Sequence, residues 1–217
     1  PFILFIFTIT LIMMFQKQTR KYFIPFILIS VVTFTALFNY NSKIKSNFKS
    51  FYFTVERMAT TIVNKDFQNK QTPQYIKEFS TFYDTWLLNK FIGGGIKNFR
   101  YYCHIRPNIK KDAVFICNMH PHNYYLEILT ETGVFGLLII LVIFTYVLYL
   151  SFFKKYFSKK FHNPDFQIVP FMFLFLTEIF PIKSTGSFFT TGNTTYLFLI
   201  MAITIALAKK HNSIEKI

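Results

Sequence analysis

Five stretches of this chain are apolar along most of their length, and nothing constrains its fold more. They are Pro1–Phe15, Tyr22–Asn39, Val134–Phe153, Gln167–Ile182 and Thr194–Ala208. A helix needs about 20 apolar residues to cross roughly 30 Å of hydrocarbon. Each stretch is therefore expected to belong to a bilayer span, Pro1–Phe15 as one cut short and the last two with help from flanking residues. Composition matters through this clustering: 52% of residues are hydrophobic and only 16% are charged, against about 25% charged in a soluble domain. The chain starts at Pro1 inside an apolar run, without Met or a charged n-region, and is read as a fragment lacking its upstream part.

Charge between the spans orients them. Lys17, Arg20 and Lys21 lie between the first two, Lys154, Lys155, Lys159 and Lys160 between the third and fourth, and Lys209, Lys210 and Lys216 after the fifth. With five spans these clusters share one side, which the bias of Lys and Arg makes the cytoplasm. The net charge of +14 is thus explained without nucleic acid as a partner. The expected fold is all-α: a polytopic helical membrane protein with one large helical loop in the periplasm. Residues 1–39 form two spans, 40–133 the loop with the candidate site, and 134–217 three spans and a short tail. The segment Tyr40–Pro121 carries 13 Lys and Arg against 5 Asp and Glu, but long loops cross membranes largely regardless of charge.

The loop is not a linker. Apolar residues at helical spacing predict one helix over Phe48–Val63 and another over Gln74–Phe91, separated by a polar break at Asn64–Pro73. Both are expected on or near the membrane surface, and Gly93, Gly94 and Gly95 stop the second. Cys103 and Cys117 both fall in this loop. On an oxidising side they are expected to be bridged, closing about 15 residues and contributing roughly 3 kcal/mol. In a reducing compartment they would be free thiols.

The richest stretch runs from Cys117 through Met-His-Pro-His-Asn-Tyr-Tyr to Gly133. Pro121 suits the first turn of a helix, which places His120 and His122 at a helix N-terminus just outside the membrane. Free N–H groups there favour an anion, and the same field disfavours imidazolium, leaving a histidine able to take a proton. A metal is the alternative, yet His104 and the two cysteines show no zinc spacing. A plain interfacial cap is another. Upstream, Lys97 and Arg100 follow the glycine turn, where backbone N–H groups can approach a phosphate and arginine can grip its oxygens. Arg106 is similar but less well placed, and a helix-ending turn with solvated charge is the bland reading of the segment. Glu178, inside the fourth span, is costly there and is expected to pair with Lys183 near the outer interface. The polar turn Ser184–Asn193 faces the same side.

The run His120–Gly136, with its His-Asn pair, following Leu and Glu-x-Gly ahead of a span, resembles the O-antigen ligase and polymerase superfamily, as do Trp86 and the Gly-rich Phe91–Phe99 segment. The resemblance covers roughly Gln74–Phe153 and separates the superfamily's members poorly. It implies a glycosyltransferase moving a glycan from an undecaprenyl-diphosphate carrier to an acceptor hydroxyl, such as that of lipid A core, at the periplasmic face of the bacterial inner membrane. It makes His122 the base of the His-Asn pair with Asn123, and gives arginines the diphosphate, here Arg100. It departs from the family at the arginine ahead of Trp86, where Lys77 and Glu78 stand. No Asp-x-Asp motif appears, so no metal or cofactor is expected.

Ligase, repeat-unit polymerase and protein O-glycosylation differ by acceptor, which nothing in the loop reads out. A transporter fragment is the non-enzyme alternative. Transporters place ionisable groups near the midplane, whereas the polar groups here gather outside the spans.

Overall fold

The structure is a computed structural model that describes residues 2–16, 19–64, 72–107, 117, 120–154, 167–181 and 185–214. Among these residues all regular structure is helical. In chain order the helices are α1 (Phe2–Phe15), α2 (Phe23–Tyr40), α3 (Ser42–Asn64), α4 (Gln74–Trp86), α5 (Phe99–Tyr102), α6 (Tyr124–Leu148), α7 (Ile168–Glu178) and α8 (Thr191–Ile214).

Three helical segments are long and apolar enough to cross a membrane: Arg20–Tyr40, Tyr124–Phe153 and Thr191–Lys209. The other two expected spans are shorter helices. Helix α1 covers the expected stretch, Phe2–Phe15, whereas the 11 residues of α7, at a rise of 1.5 Å per residue, give about 17 Å, less than the hydrocarbon thickness. Helix α7 stops at Glu178 because Ile179 leaves helical geometry and Pro181 follows. The loop helices differ from the reading at their ends. Helix α3 starts six residues before Phe48, because Asn41 ends α2 in an extended conformation and its Oδ1 accepts Lys43 N–H at 3.0 Å and Ile44 N–H at 3.1 Å. Of the expected polar break, residues 65–71 lie outside the described residues.

The third span also begins earlier. Helix α6 starts at Tyr124 and continues through a π turn, Tyr149–Phe153, so the motif helix and the span are one element broken at Gly133. Around it sit two apolar clusters. Tyr124, Ile128, Phe144 and Val147 pack against Phe175, Ile179, Phe188, Leu197 and Ile200. Nearer the other end Ile168, Val169, Met172, Phe173 and Ala208 pack with Leu11 and Ile12 of α1. Edge-to-face rings mark the first cluster, Tyr124 on Phe188 at 5.5 Å and Phe144 on Phe175 at 5.7 Å, the geometry that aromatic quadrupoles prefer.

Candidate functional site

The loop is seated on the first half of α6. Phe82 of α4 stacks on Phe99 of α5 with ring centroids 3.6 Å apart, and both pack with Cys103, Cys117 and Leu126. Cys103 and Cys117 form a disulfide with Cα atoms 5.8 Å apart, which fixes position 117 only three residues before His120. Arg106 is buried beside it. Its Nη1 donates to the Cys103 carbonyl at 2.5 Å, and burial lowers its pKa against the opposing pull of Asp84. Arg106 is therefore engaged by the fold instead of presented to a ligand.

The glycine turn is joined to α6 backbone to backbone. Gly133 interrupts that helix at φ 68°, ψ −168°, and the N–H groups that follow turn outward: Val134 donates to Lys90 O at 2.9 Å and Phe135 to Phe91 O at 3.2 Å. In the other direction Gly94 N–H donates to Thr130 O at 3.0 Å and Gly95 N–H to Glu131 O at 2.9 Å. These four bonds replace those the break removes, as buried backbone groups require. The approach is too close for side chains, since a Cβ on Gly133 would lie 2.2 Å from Phe91 O and one on Gly93 2.3 Å from Glu131 C. The Gly94 and Gly95 N–H groups are thus spent on α6 and that of Gly93 on Asn89 O at 2.9 Å, a correction to their reading as a phosphate cradle. The expected second loop helix is shorter than read: α4 ends at Trp86, and the chain from Leu87 to Phe91 is turns. The turn then runs into Lys97, at φ 61°, whose backbone N–H donates to Glu131 Oε2 at 2.8 Å. Lys97 and Arg100 follow as exposed cations.

His120 and His122 lie immediately ahead of α6. Pro121 is outside the helix, not in its first turn, because Asn123 takes the N-cap: extended at φ −149°, ψ 121°, it accepts Leu126 N–H on its side chain. The Asn123 amide also donates to Pro181 O at 2.6 Å, so both its polar atoms serve the fold. Glu127 occupies the first turn, buried, with Ser187 Oγ at 2.5 Å and Phe188 N at 2.6 Å donating to it. The Glu127 carboxyl thus already takes up the polar space at this helix end, which weakens it as an anion site. The histidines share a ring contact, centroids 4.5 Å apart and 66° between planes. Burial lowers the His120 pKa, the His122 imidazole lowers it further, and Glu78 opposes both. Charged imidazolium is disfavoured at His120, so this pair carries a proton-accepting nitrogen in neutral solution.

The turn between α7 and α8 closes the site from the other side. His122, at φ 52°, accepts Thr185 N–H on its carbonyl at 2.8 Å, and Thr185 Oγ1 is buried without a hydrogen-bond partner among the described residues. Tyr124 OH donates to Glu178 Oε1 at 3.1 Å and Tyr125 OH donates to Ile179 O. Lys183, the expected partner of Glu178, and Ser184 lie outside the described residues. The site thus brings together His120, His122, Asn123 and the polar turn, and holds Lys97 to Glu131. Arg106 is drawn off to the disulfide.

The buried carboxylates Glu78, Glu127 and Glu131, 1–2% exposed, and the buried Lys77 escaped the sequence reading as parts of the site. Glu127 and Glu131 are one turn apart on α6; the adjoining Gly133 and the triple glycine were the available signal. Among the described residues no three His, Cys, Asp or Glu side chains gather as a metal site.

No curated protein and no solved structure matches this chain. A family model described as O-antigen ligase matches residues 1–141, a range that takes in the seated loop, both histidines, the Gly133 break and the first part of the span. The chain therefore belongs to the O-antigen ligase family, a membership that implies a glycosyltransferase-like role in O-antigen assembly.

Proposed function

We propose that this protein transfers a glycan from an undecaprenyl-diphosphate carrier to an acceptor hydroxyl at the periplasmic face of the inner membrane. The contact of His120 and His122 carries the reading: two imidazoles at 4.5 Å, one with its pKa lowered by burial, ahead of a candidate span. His122 is the base. It takes the proton of the acceptor hydroxyl as the oxygen attacks the anomeric carbon, and a positioned base of this kind typically contributes 10²–10⁴-fold. The carbon–oxygen bond to the carrier breaks, and the diphosphate leaves with the electron pair. Lys97 and Arg100 offset the charge that builds on it. His120 keeps a second positive charge from settling beside the base. Asn123 acts here through the helix end that it caps.

The disulfide supports the periplasmic side, since such bonds persist in oxidising compartments. Ligation to lipid A core is the leading reaction within the class, with repeat-unit polymerisation and protein O-glycosylation behind it. The test is complementation. Cells lacking the gene receive the full-length protein or its His122→Ala variant, and their glycolipids are resolved by size. Uncapped core with long carrier-linked chains, restored by the wild type and not by the variant, supports ligation. Single repeat units on the core indicate polymerisation. Restoration by a His122→Ala protein removes His122 from the chemistry.

A further inference from the structure

Helix α3 has no buried residue, yet its apolar side chains are ordered along it. Ile44, Phe48, Phe51, Val55, Met58 and Ile62 recur at three- and four-residue intervals, the spacing of one helical stripe. At 100° per residue Lys43 and Lys45 fall on opposite flanks of that stripe, and Lys49, Arg57 and Thr60 on the far side. Phe53 is the exception, apolar among the polar positions. Phe51, Val55 and Ile62 are 53%, 46% and 55% exposed, so the stripe is uncovered.

Phe48 shows which way the stripe faces. Its ring lies 4.9 Å from Phe34 and 6.0 Å from Phe38, both on the flank of α2, a helix long and apolar enough to cross a membrane. The apolar side of α3 is therefore the side turned along α2. With α2 in the bilayer, that side meets hydrocarbon. Lys43 and Lys45 then stand at the height of the headgroups, where long basic side chains lay their stems on apolar surface and extend the charge to phosphate. The four cations of α3 against Glu56 alone suit an anionic surface.

We propose that α3 lies in the interface of an anionic phospholipid bilayer, its stripe among the upper acyl chains and Lys43 and Lys45 at the lipid phosphates. Helix α3 leads towards α4, which packs on α6 beside the histidines, so this seat keeps the loop at the depth of a lipid-linked diphosphate. That last consequence rests on the proposed function. The immersion of α3 does not.

The full-length protein in vesicles of phosphatidylethanolamine and phosphatidylglycerol carries a thiol spin label at Val55→Cys or, separately, at Thr60→Cys. Cys103 and Cys117 are paired in the disulfide and do not compete for the label. Collisions with oxygen, which concentrates in lipid, are compared with collisions with a water-soluble nickel chelate. Position 55 is expected to favour oxygen several-fold and position 60 the chelate. Chelate access at both positions places α3 in water and overturns the proposal. Access of neither reagent to position 55 means that protein covers the stripe, whether a second copy or another part of this chain, and overturns it too. Replacing Lys43 and Lys45 by Gln is expected to lower the oxygen preference at position 55, and an unchanged ratio removes the lysines from the account. None of these readouts requires glycan transfer, so they stand apart from the fate of His122.

Discussion

Glu131 Oε2 accepts the backbone N–H of Lys97 at 2.8 Å, and through this bond a buried carboxylate on the membrane helix holds the cationic turn of the loop. Leaving a buried partner of such a bond unsatisfied costs about 1–3 kcal/mol. Glu131→Leu is expected to lower the melting temperature by several degrees and to weaken the donor KM more than kcat. Glu131→Gln keeps an acceptor oxygen and is expected to stay near wild type in both. Calorimetry in detergent and donor-dependent rates check the pair, and equal behaviour of Leu and Gln contradicts a positioning role.

Gly133→Ala is expected to be among the most damaging small substitutions in the chain. A side chain at φ 68° is strained, by about 1–3 kcal/mol, and the added Cβ would lie 2.2 Å from Phe91 O. Both effects loosen the joint between loop and helix. The measurement is thermal unfolding together with amide exchange at Gly94, Gly95, Val134 and Phe135. Unchanged protection of those four amides in the variant contradicts the joint described here.

Reducing the Cys103–Cys117 bond, or replacing both residues by Ser, is expected to cost about 2–5 kcal/mol of stability. The local effect falls first on Arg106, which donates to Cys103 O, and on the segment entering His120. Thermal melts with and without reductant read the loss, and a reduced protein that melts with the oxidised one contradicts it. A gel shift after alkylation shows whether the bond is present in cells.

Acid is expected to destabilise the protein through His120. Its folded pKa lies below the ordinary 6.5, so unfolded chains take up this proton at a pH where folded ones do not. Stability is then lost as pH falls from the unfolded value through the folded one. His120→Asn removes this component. Melting temperatures across that range are expected to fall less steeply for the variant, and identical slopes contradict the assignment.

The class of fold was legible because membrane helices announce themselves in runs of apolar residues, and the family because the His-Asn and Glu-x-Gly pattern sits just ahead of one such run. The pairing of Cys103 with Cys117 followed from their number and from the oxidising side expected for the loop. Three features were not legible, each for a physical reason. The joint at Gly133 is made by backbone groups about 40 residues apart, which leave no mark on side chains beyond the glycines that permit it. Glu127 and Glu131 are buried by a turn and a loop that arrive from distant parts of the chain, which leaves no trace in the sequence around them. Helix α7 carries an apolar composition like that of a span, and only the structure shows that it stops at Glu178.

The most direct test of the central claim is the rate at which purified protein in vesicles transfers a glycan from its lipid diphosphate to an acceptor, wild type against His122→Ala. Loss of about 10²-fold or more, with donor binding and melting temperature preserved, is the expected result. Transfer at the wild-type rate by the alanine variant contradicts the account.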